Sequence, residues 1–564
     1  MALVALYNST NGESWYRNTN WLSGPISEWY GITVNDNRVT RIILEYNNLT
    51  GNLPPELGNL SNLEELYLHG NFRIIGNILT GLTGNIPPEL GNLSNLGTLN
   101  LSSNQLTGNI PSELGNLSNL GTLNLSNNRL TGNIPPELGN LSNLGTLNLS
   151  NNQLTGNIPS ELGNLSNLEE LYLHGNHRRI GNILTGLTGN IPPELGNLSN
   201  LTNLNLSGNQ LTGNIPSWLG DLSSLTGLNL GGNQLTGNIP TELGNLSNLH
   251  DLYLFNNQLT GIPPELGNLS NLSYLSLSNN QLTGSIPSWL GDLSNLIALW
   301  LDGNQLIGNI PPELGNLSNL MSLNLGGNQL TGNIPSWLGD LSNLSYLSLS
   351  NNQLTGNIPT ELGNLLNLWY LYLDNNQLTG DIPTELGNLL NLWYLYLDNN
   401  QLTGTIPPEL GNLSKLHYLD LSNNQLTENI PSELGNLLYL EELYLHDNQL
   451  TGSVPLELNN LTKLKKLNLS NCGFDFLPTL THSNLDSLWV GNNNLTFDDI
   501  IPNIGVPNAY FSYAPQDSVA ITEDIHRCLK SDFSYTISDS HENNGYDGIK
   551  TTYCCRVLLQ THLK

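Results

Sequence analysis

The sequence predicts an α/β-type repeat solenoid, a right-handed superhelix with a parallel concave β-sheet and short 3-10 or turn segments on its convex side. Three observations carry that prediction. From Val39 the chain falls into nineteen units, most of them 24 residues long, and a period of that length is the signature of stacked repeats. Leucine and asparagine recur within each unit at the fixed spacing L-x-x-L-x-L-x-x-N-x-L-T-G-x-I-P-x-E-L-G-N-L-S-N. No unit can bury its leucines alone. Each fully buried Leu contributes roughly 1.5 to 3 kcal/mol, whereas ordering each backbone residue costs about 1 to 2 kcal/mol, so neighbours on both sides are required.

In the unit Leu120 to Asn143, Leu120, Leu123, Leu125 and Leu130 are expected to point inward from a short strand and to meet Ile134, Leu138 and Leu141 from the far side. The ninth-position Asn, as at Asn104, Asn128 and Asn152, falls where the strand ends. An inward amide there satisfies backbone groups that would otherwise lack partners. One unit carries Cys472 instead, read as a buried structural thiol. The Gly-x-Ile-Pro step sets a second extended segment on the flank, where Pro is tolerated because an edge needs fewer ladder donors. Fourteen units then place a Glu just after the Pro, from Glu56 and Glu89 to Glu433 and Glu457, where a carboxylate suits the positive end of a short helical dipole.

Two units, Leu63 to Asn95 and Leu168 to Asn200, are longer by nine residues. Their insertions are expected to project as loops beside the strand ends at Asn71 and Asn176, four units or roughly 19 Å apart. They differ only at Phe72 against His177 and Ile74 against Arg179, so a block of units was duplicated. Arg73, Arg178 and Arg179 on them are candidate contacts for an anionic ligand group.

Lys and Arg number 16 against 46 Asp and Glu, a formal charge of −30, which repels phosphate backbones and makes nucleic acid an improbable partner. Cys472, Cys528, Cys554 and Cys555 are the only cysteines, so no disulfide staples the repeats. The opening run Ala2-Leu3-Val4-Ala5-Leu6-Tyr7 is too short for a signal peptide, and no run of eighteen apolar residues spans a bilayer. The expected location is extracellular or at the cell surface, with an export signal absent from this chain; a cytoplasmic location stays open.

With the motif L-T-G-x-I-P on the page, the chain resembles the plant-type leucine-rich repeats of plant receptor ectodomains and bacterial surface proteins, over residues 39 to about 505. Residues 1–38 resemble the matching amino-terminal cap: a helix around Leu3, Leu6 and Tyr7, then Trp15, Trp21 and Trp29-Tyr30-Gly31-Ile32. The plant cap brackets that last motif with a cysteine pair, where this sequence has Ser27 and Val34, which favours a bacterial or other microbial source. Ile504 to Val519 resembles the exit linker of bacterial relatives, and residues 506–564 are expected to form a linker and a poorly ordered tail, with Ala520 to Lys564 packing weakly.

No G-x-S-x-G, P-loop, kinase or zinc-ligand spacing occurs, so no enzymatic activity, cofactor or metal is expected. The recurrent Asn-Leu-Ser is read as structural rather than as a glycosylation site, and His417 with Asp420 as exposed strand residues. The functional signal lies at the outward strand positions. Early units carry Gly, Thr, Asn and Ser there, whereas later ones carry Tyr253, Phe255, Tyr274, Trp300, Tyr346, Trp369, Tyr370, Tyr372, Trp393, Tyr394, Tyr396, Tyr418 and Tyr444, beside Asp302, Asp374, Asp398 and Asp420. Grouped aromatics of this kind are what interfaces enrich. Trp369 to Tyr372 and Trp393 to Tyr396 are copies of one segment, but Trp300, Tyr346, Tyr418 and Tyr444 are not. The expectation is a non-catalytic recognition module for a protein, peptide or glycan, its site centred on Trp369, Tyr372, Trp393, Tyr396, Asp374 and Asp398, with the rings stacked into ladders. Two alternatives stand beside it: a periodic Thr-Gly-Asn face that binds ice or another regular surface, and a sensor fragment whose enzymatic partner is on another chain.

Overall fold

The repeat folds as its leucine spacing dictates. In the computed structural model the repeats between Glu65 and Asn460 each contribute a three-residue strand, then a short extended segment, then a five-residue 3-10 turn. The structure describes residues 1–75, 78–180, 183–480, 484–500 and 503, with strand segments at 509–510, 535–536 and 552–553. Two units are distinguished, Met1–Thr283 and Gly284–Lys564. Apart from those last two strand segments, the tail from Ala520 to Lys564, with Cys528, Cys554 and Cys555, lies outside the described residues.

The first unit opens on helix α1 (Ala2–Ser9), which buries Ala2, Leu3 and Leu6. Trp15, Trp21 and Trp29 form an aromatic core beneath it, with centroids 4.8 and 4.9 Å apart. Their indole N–H groups donate to Thr10, Tyr30 and Ser23 carbonyls. A ring cluster therefore holds residues 1–38 together. Strand β1 (Ile32–Asn35) pairs antiparallel with β2 (Arg38–Ile43), and β2 pairs parallel with the strand Glu65–Tyr67. The antiparallel arm covers an edge that would otherwise offer unpaired backbone groups.

From there the strands run parallel and in register, Leu99 opposite Leu123 and Leu123 opposite Leu147 in the first unit, Leu347 opposite Leu371 and Leu371 opposite Leu395 in the second. Slipping one residue would turn every Leu outward, so the alternation fixes the pairing. The inward leucines are buried throughout. On the far side turns such as Thr360–Asn364 start after a Pro with φ −64, and the Glu at the next position but one follows the expected dipole logic. The turns stack closely enough that a Cβ on Gly363 would collide with the Glu385 carbonyl of the next turn.

The ninth-position Asn stitches repeats together. The Asn376 side-chain amide donates to Leu349, Leu373 and Asp374 carbonyls at 3.0, 3.1 and 3.1 Å, and its oxygen accepts the Leu354 N–H at 3.1 Å. One side chain thus satisfies four backbone groups from two repeats. Cys472 replaces it with one weak contact to the Leu445 carbonyl at 3.5 Å, and burial pushes its thiol up to about 11.

The two insertions are antiparallel hairpins, Arg73–Ile75 with Ile78–Thr80 and Arg178–Ile180 with Ile183–Thr185, not the loops expected. Each starts just beyond the buried Asn71 or Asn176, and their parent strands stand four steps apart in the ladder. The Arg73 guanidinium lies over the Tyr16 ring at 4.8 Å, so this cation is engaged by the cap. The side chains of Arg178 and Arg179 lie outside the described residues.

Candidate functional site

Strand alternation turns the outward residues of the second unit into rows that run across the repeats. Trp369, Trp393 and His417 form the row that enters the strands, each N–H donating at 2.8 Å to the carbonyl of its row neighbour in the preceding repeat, Ser345, Trp369 and Trp393 respectively. Tyr346, Tyr370, Tyr394 and Tyr418 stand in register in the next row, and Tyr372 faces Tyr396 in the third. Asp374 and Asp398 follow the third row at the strand ends.

The expected ladders form. Trp369 and Trp393 stack at 5.4 Å with planes 7° apart, Tyr370 and Tyr394 at 5.2 Å and 12°. Tyr372 meets Tyr396 at 4.9 Å and Tyr396 meets Tyr418 at 4.3 Å. Tyr346 and Tyr444 close the two ends at 5.6 and 5.5 Å. Because neighbouring rings pack on one another, the tyrosines are half-buried. Trp369, with Ser345 before it in its row, is more exposed, at 46%. Burial raises the Tyr372, Tyr418 and Tyr444 hydroxyls well above the ordinary range and Tyr396 to about 12. They remain protonated, and the Tyr418 and Tyr444 hydroxyls donate to Asp420 and Glu442 at 3.4 and 2.7 Å.

The carboxylates divide. Asp420 is buried and spent internally, its oxygens accepting the Ser422 N–H and hydroxyl at 3.0 and 2.6 Å and the Tyr418 hydroxyl at 3.4 Å. Asp374 and Asp398 are half-buried and each accepts one amide bond from its neighbouring Asn, at 2.7 and 2.6 Å. Burial raises both, Asp398 to about 7, with the charges of Asp420 and Asp374 adding to the effect. One Asp398 oxygen is buried with no hydrogen-bond partner.

The other expected residues stand apart. Trp300 donates its indole N–H to the Ser322 hydroxyl at 2.8 Å, and Ser322 and Asn324 occupy the strand between it and Tyr346. It is therefore not a rung of the ring ladder. The charge of Asp302 bears on Tyr346. Tyr253 and Tyr274 belong to the first unit, on adjacent strands with Tyr274 opposite Asp251; burial and that carboxylate push Tyr253 up to about 12. Sequence reasoning missed His417 as a rung, 5.5 Å from Trp393, its Nδ1–H donating to the Lys415 carbonyl at 2.7 Å, and Tyr439, 5.9 Å further along. Aligning the entry row of each repeat would have exposed His417.

Among the described residues no helix is long and apolar enough to cross a membrane. Three family models match the chain: a leucine-rich repeat region at residues 262–379 and 349–488, and leucine-rich repeat models at 199–259 and at 38–60, 95–117, 119–141 and 143–165. A comparison with curated proteins found no match. Among solved structures, the ectodomain of the membrane receptor kinase GASSHO1/SCHENGEN3 from Arabidopsis thaliana, in complex with Casparian strip integrity factor 2, is 34% identical over 87% of this chain and 68% of that one, with a TM-score of 0.64. The Arabidopsis receptor kinase HAESA, in complex with the peptide hormone IDA and a co-receptor, is 34% identical over 84% of this chain and 89% of that one, at 0.58. A leucine-rich-repeat protein of Leptospira interrogans is 36% identical over 77% and 95%, at 0.52.

Proposed function

Because this chain belongs to the leucine-rich-repeat family, we propose that it is a non-catalytic recognition module that binds a polypeptide ligand on the tyrosine rows of its second unit, at the cell surface or outside the cell. The observation that carries this reading is the unbroken ring contact from Tyr346 to Tyr444, bordered by Asp374 and Asp398. Rings locked by their neighbours lose little entropy when a ligand arrives, and such anchors carry hot spots of about 2 kcal/mol or more. Half-buried tyrosine rings with protonated hydroxyls suit the apolar side chains and backbone groups of a peptide. Similar structures that hold a peptide hormone favour a peptide over a glycan.

The periodic-surface alternative has less support. Thr83, Thr188 and Thr260 donate their hydroxyls to the Asn of the preceding repeat at 2.9, 3.2 and 2.8 Å, so these groups are used within the ladder. The test is to select peptides from a random display library on the full chain and to measure their affinity for a Tyr372→Ser, Tyr396→Ser variant. Ser348 already occupies that row, so the fold tolerates the change. Affinity should fall at least tenfold; retention within threefold moves the site elsewhere.

A further inference from the structure

Outside the tyrosine rows, exposed apolar side chains of the second unit gather on the edge where the chain enters the strands. Leu366, Trp369, Leu390, Trp393, Leu438 and Tyr439 all lie there, and Leu366, Leu390 and Leu438 are 58, 54 and 53% exposed. The neighbouring repeats hold Ser318, Ser342 and Ser414 at the leucine position, and the one after Leu438 holds Thr462. The fold therefore does not require Leu at this position, and an exposed Leu gains nothing in water. Leu366 and Leu390 line an open trough of about 780 Å³ with Gly363, Gly387 and the amides of Asn364 and Asn388. Leu438 with Tyr439 lies outside the copied segment, so the pattern is not one duplication counted twice.

Cations gather at one end of this edge. With a formal charge of −30 overall, the entry positions from Leu366 to Tyr439 hold no carboxylate and do hold Lys415 and His417. Lys463 sits over the Tyr439 ring at 3.9 Å. The nearest entry-row carboxylate, Glu441, is paired with Lys465 at 2.6 Å. Lys415 donates to the neutral Asn391 side chain at 2.8 Å. An acidic partner, repelled by the net charge of the protein, meets the cations Lys415 and Lys463 here.

We propose that the strand-entry edge of the second unit is a second binding surface, separate from the tyrosine rows, and that it takes an acidic polypeptide segment carrying apolar side chains. The apolar side chains enter the trough at Leu366 and Leu390 and pack against Trp369 and Trp393. The acidic groups belong at the Lys415 and Lys463 end, because the glutamates of the 3-10 turns stand upstream near the trough. Trp369, 46% exposed, offers one further apolar contact.

The test uses the full chain and a fluorescein-labelled twelve-residue peptide of Glu, Leu, Phe and Ser, with a counterpart in which Lys replaces Glu. The acidic peptide should bind, and the basic one at least tenfold more weakly. Leu366→Ser, Leu390→Ser and Leu438→Ser together restore the residue other repeats carry, so the fold stays intact and affinity should fall at least tenfold. Lys415→Asn with Lys463→Asn should weaken binding at least threefold and flatten its salt dependence. Tyr372→Ser with Tyr396→Ser should leave it within twofold, which separates this surface from the tyrosine rows. Equal binding of the basic peptide, no binding of either, or full affinity in the serine variant would each overturn the proposal. So would capture of phosphatidylserine vesicles without peptide binding, which would assign the edge to a lipid surface.

Discussion

Replacing Asp398 with Asn should stabilise the ring ladder at pH 8 and change nothing at pH 4. Burial holds this carboxyl at about 7, raised from 3.8, with Asp420 and Asp374 opposing a further negative charge. The shift of about 3 units corresponds to a ceiling of about 4 kcal/mol at 1.36 kcal/mol per unit. The side chain is partly open to water, and screening brings the expected figure down to about 1 to 2 kcal/mol. The sign follows from the raised value. Stability from the protonated form is fully present below the unfolded value near 4 and is lost as pH rises through about 7. Hydrogen exchange over the strands Tyr370–Tyr372, Tyr394–Tyr396 and Tyr418–Asp420 reads the effect locally, which suits a repeat protein that need not unfold as one unit. Wild-type protein should exchange faster at pH 8 than at pH 4 after correction for intrinsic rates, and Asp398→Asn should remove part of that difference. A variant with the wild-type pH dependence would refute the assignment of the strain to Asp398.

The core makes two further predictions. Asn376→Ala removes a side chain that satisfies four backbone groups; at about 1 to 3 kcal/mol for each buried group left unpaired, and with partial relaxation, local opening of the adjoining strands should become easier by about 3 kcal/mol, measured by the same exchange experiment. At the one repeat lacking this Asn, Cys472→Asn should restore the missing bonds and slow exchange over Lys466–Asn468 by about 1 kcal/mol equivalent, while the native thiol, pushed up to about 11, should react with a disulfide reagent at pH 8 far more slowly than free cysteine.

Strand, turn and asparagine positions were legible because every repeat solves the same packing problem, so a single period displays the inward Leu, the bonding Asn and the Pro-led turn. The tryptophans before Val39 were legible as a group, and they pack together. The hairpins were not read, although Arg73-Ile74-Ile75 and Ile78-Leu79-Thr80 flank Gly76-Asn77, a turn-forming pair between two β-branched runs. Alternation showed which residues of the candidate site face outward, but not how far neighbours cover them. Asp420 faces outward by pattern and is nonetheless buried by Tyr418 and Ser422. Trp300 shares the pattern of the ladder yet lies two strands from Tyr346. The exposed leucines escaped notice because Leu in a leucine repeat is read as core, and only comparison with Ser at the same position in other repeats reveals them as surface.

The central claim is that the tyrosine rows of the second unit are the recognition face, and hydroxyl-radical footprinting of the full chain with and without a library-selected peptide tests it most directly, because it reports side-chain exposure residue by residue. The account predicts reduced oxidation of Tyr370, Tyr372, Tyr394 and Tyr396 in the complex, with Tyr253 and Tyr274 of the first unit unchanged. Protection confined to the first unit, with those four tyrosines oxidised at their free rate, would contradict it.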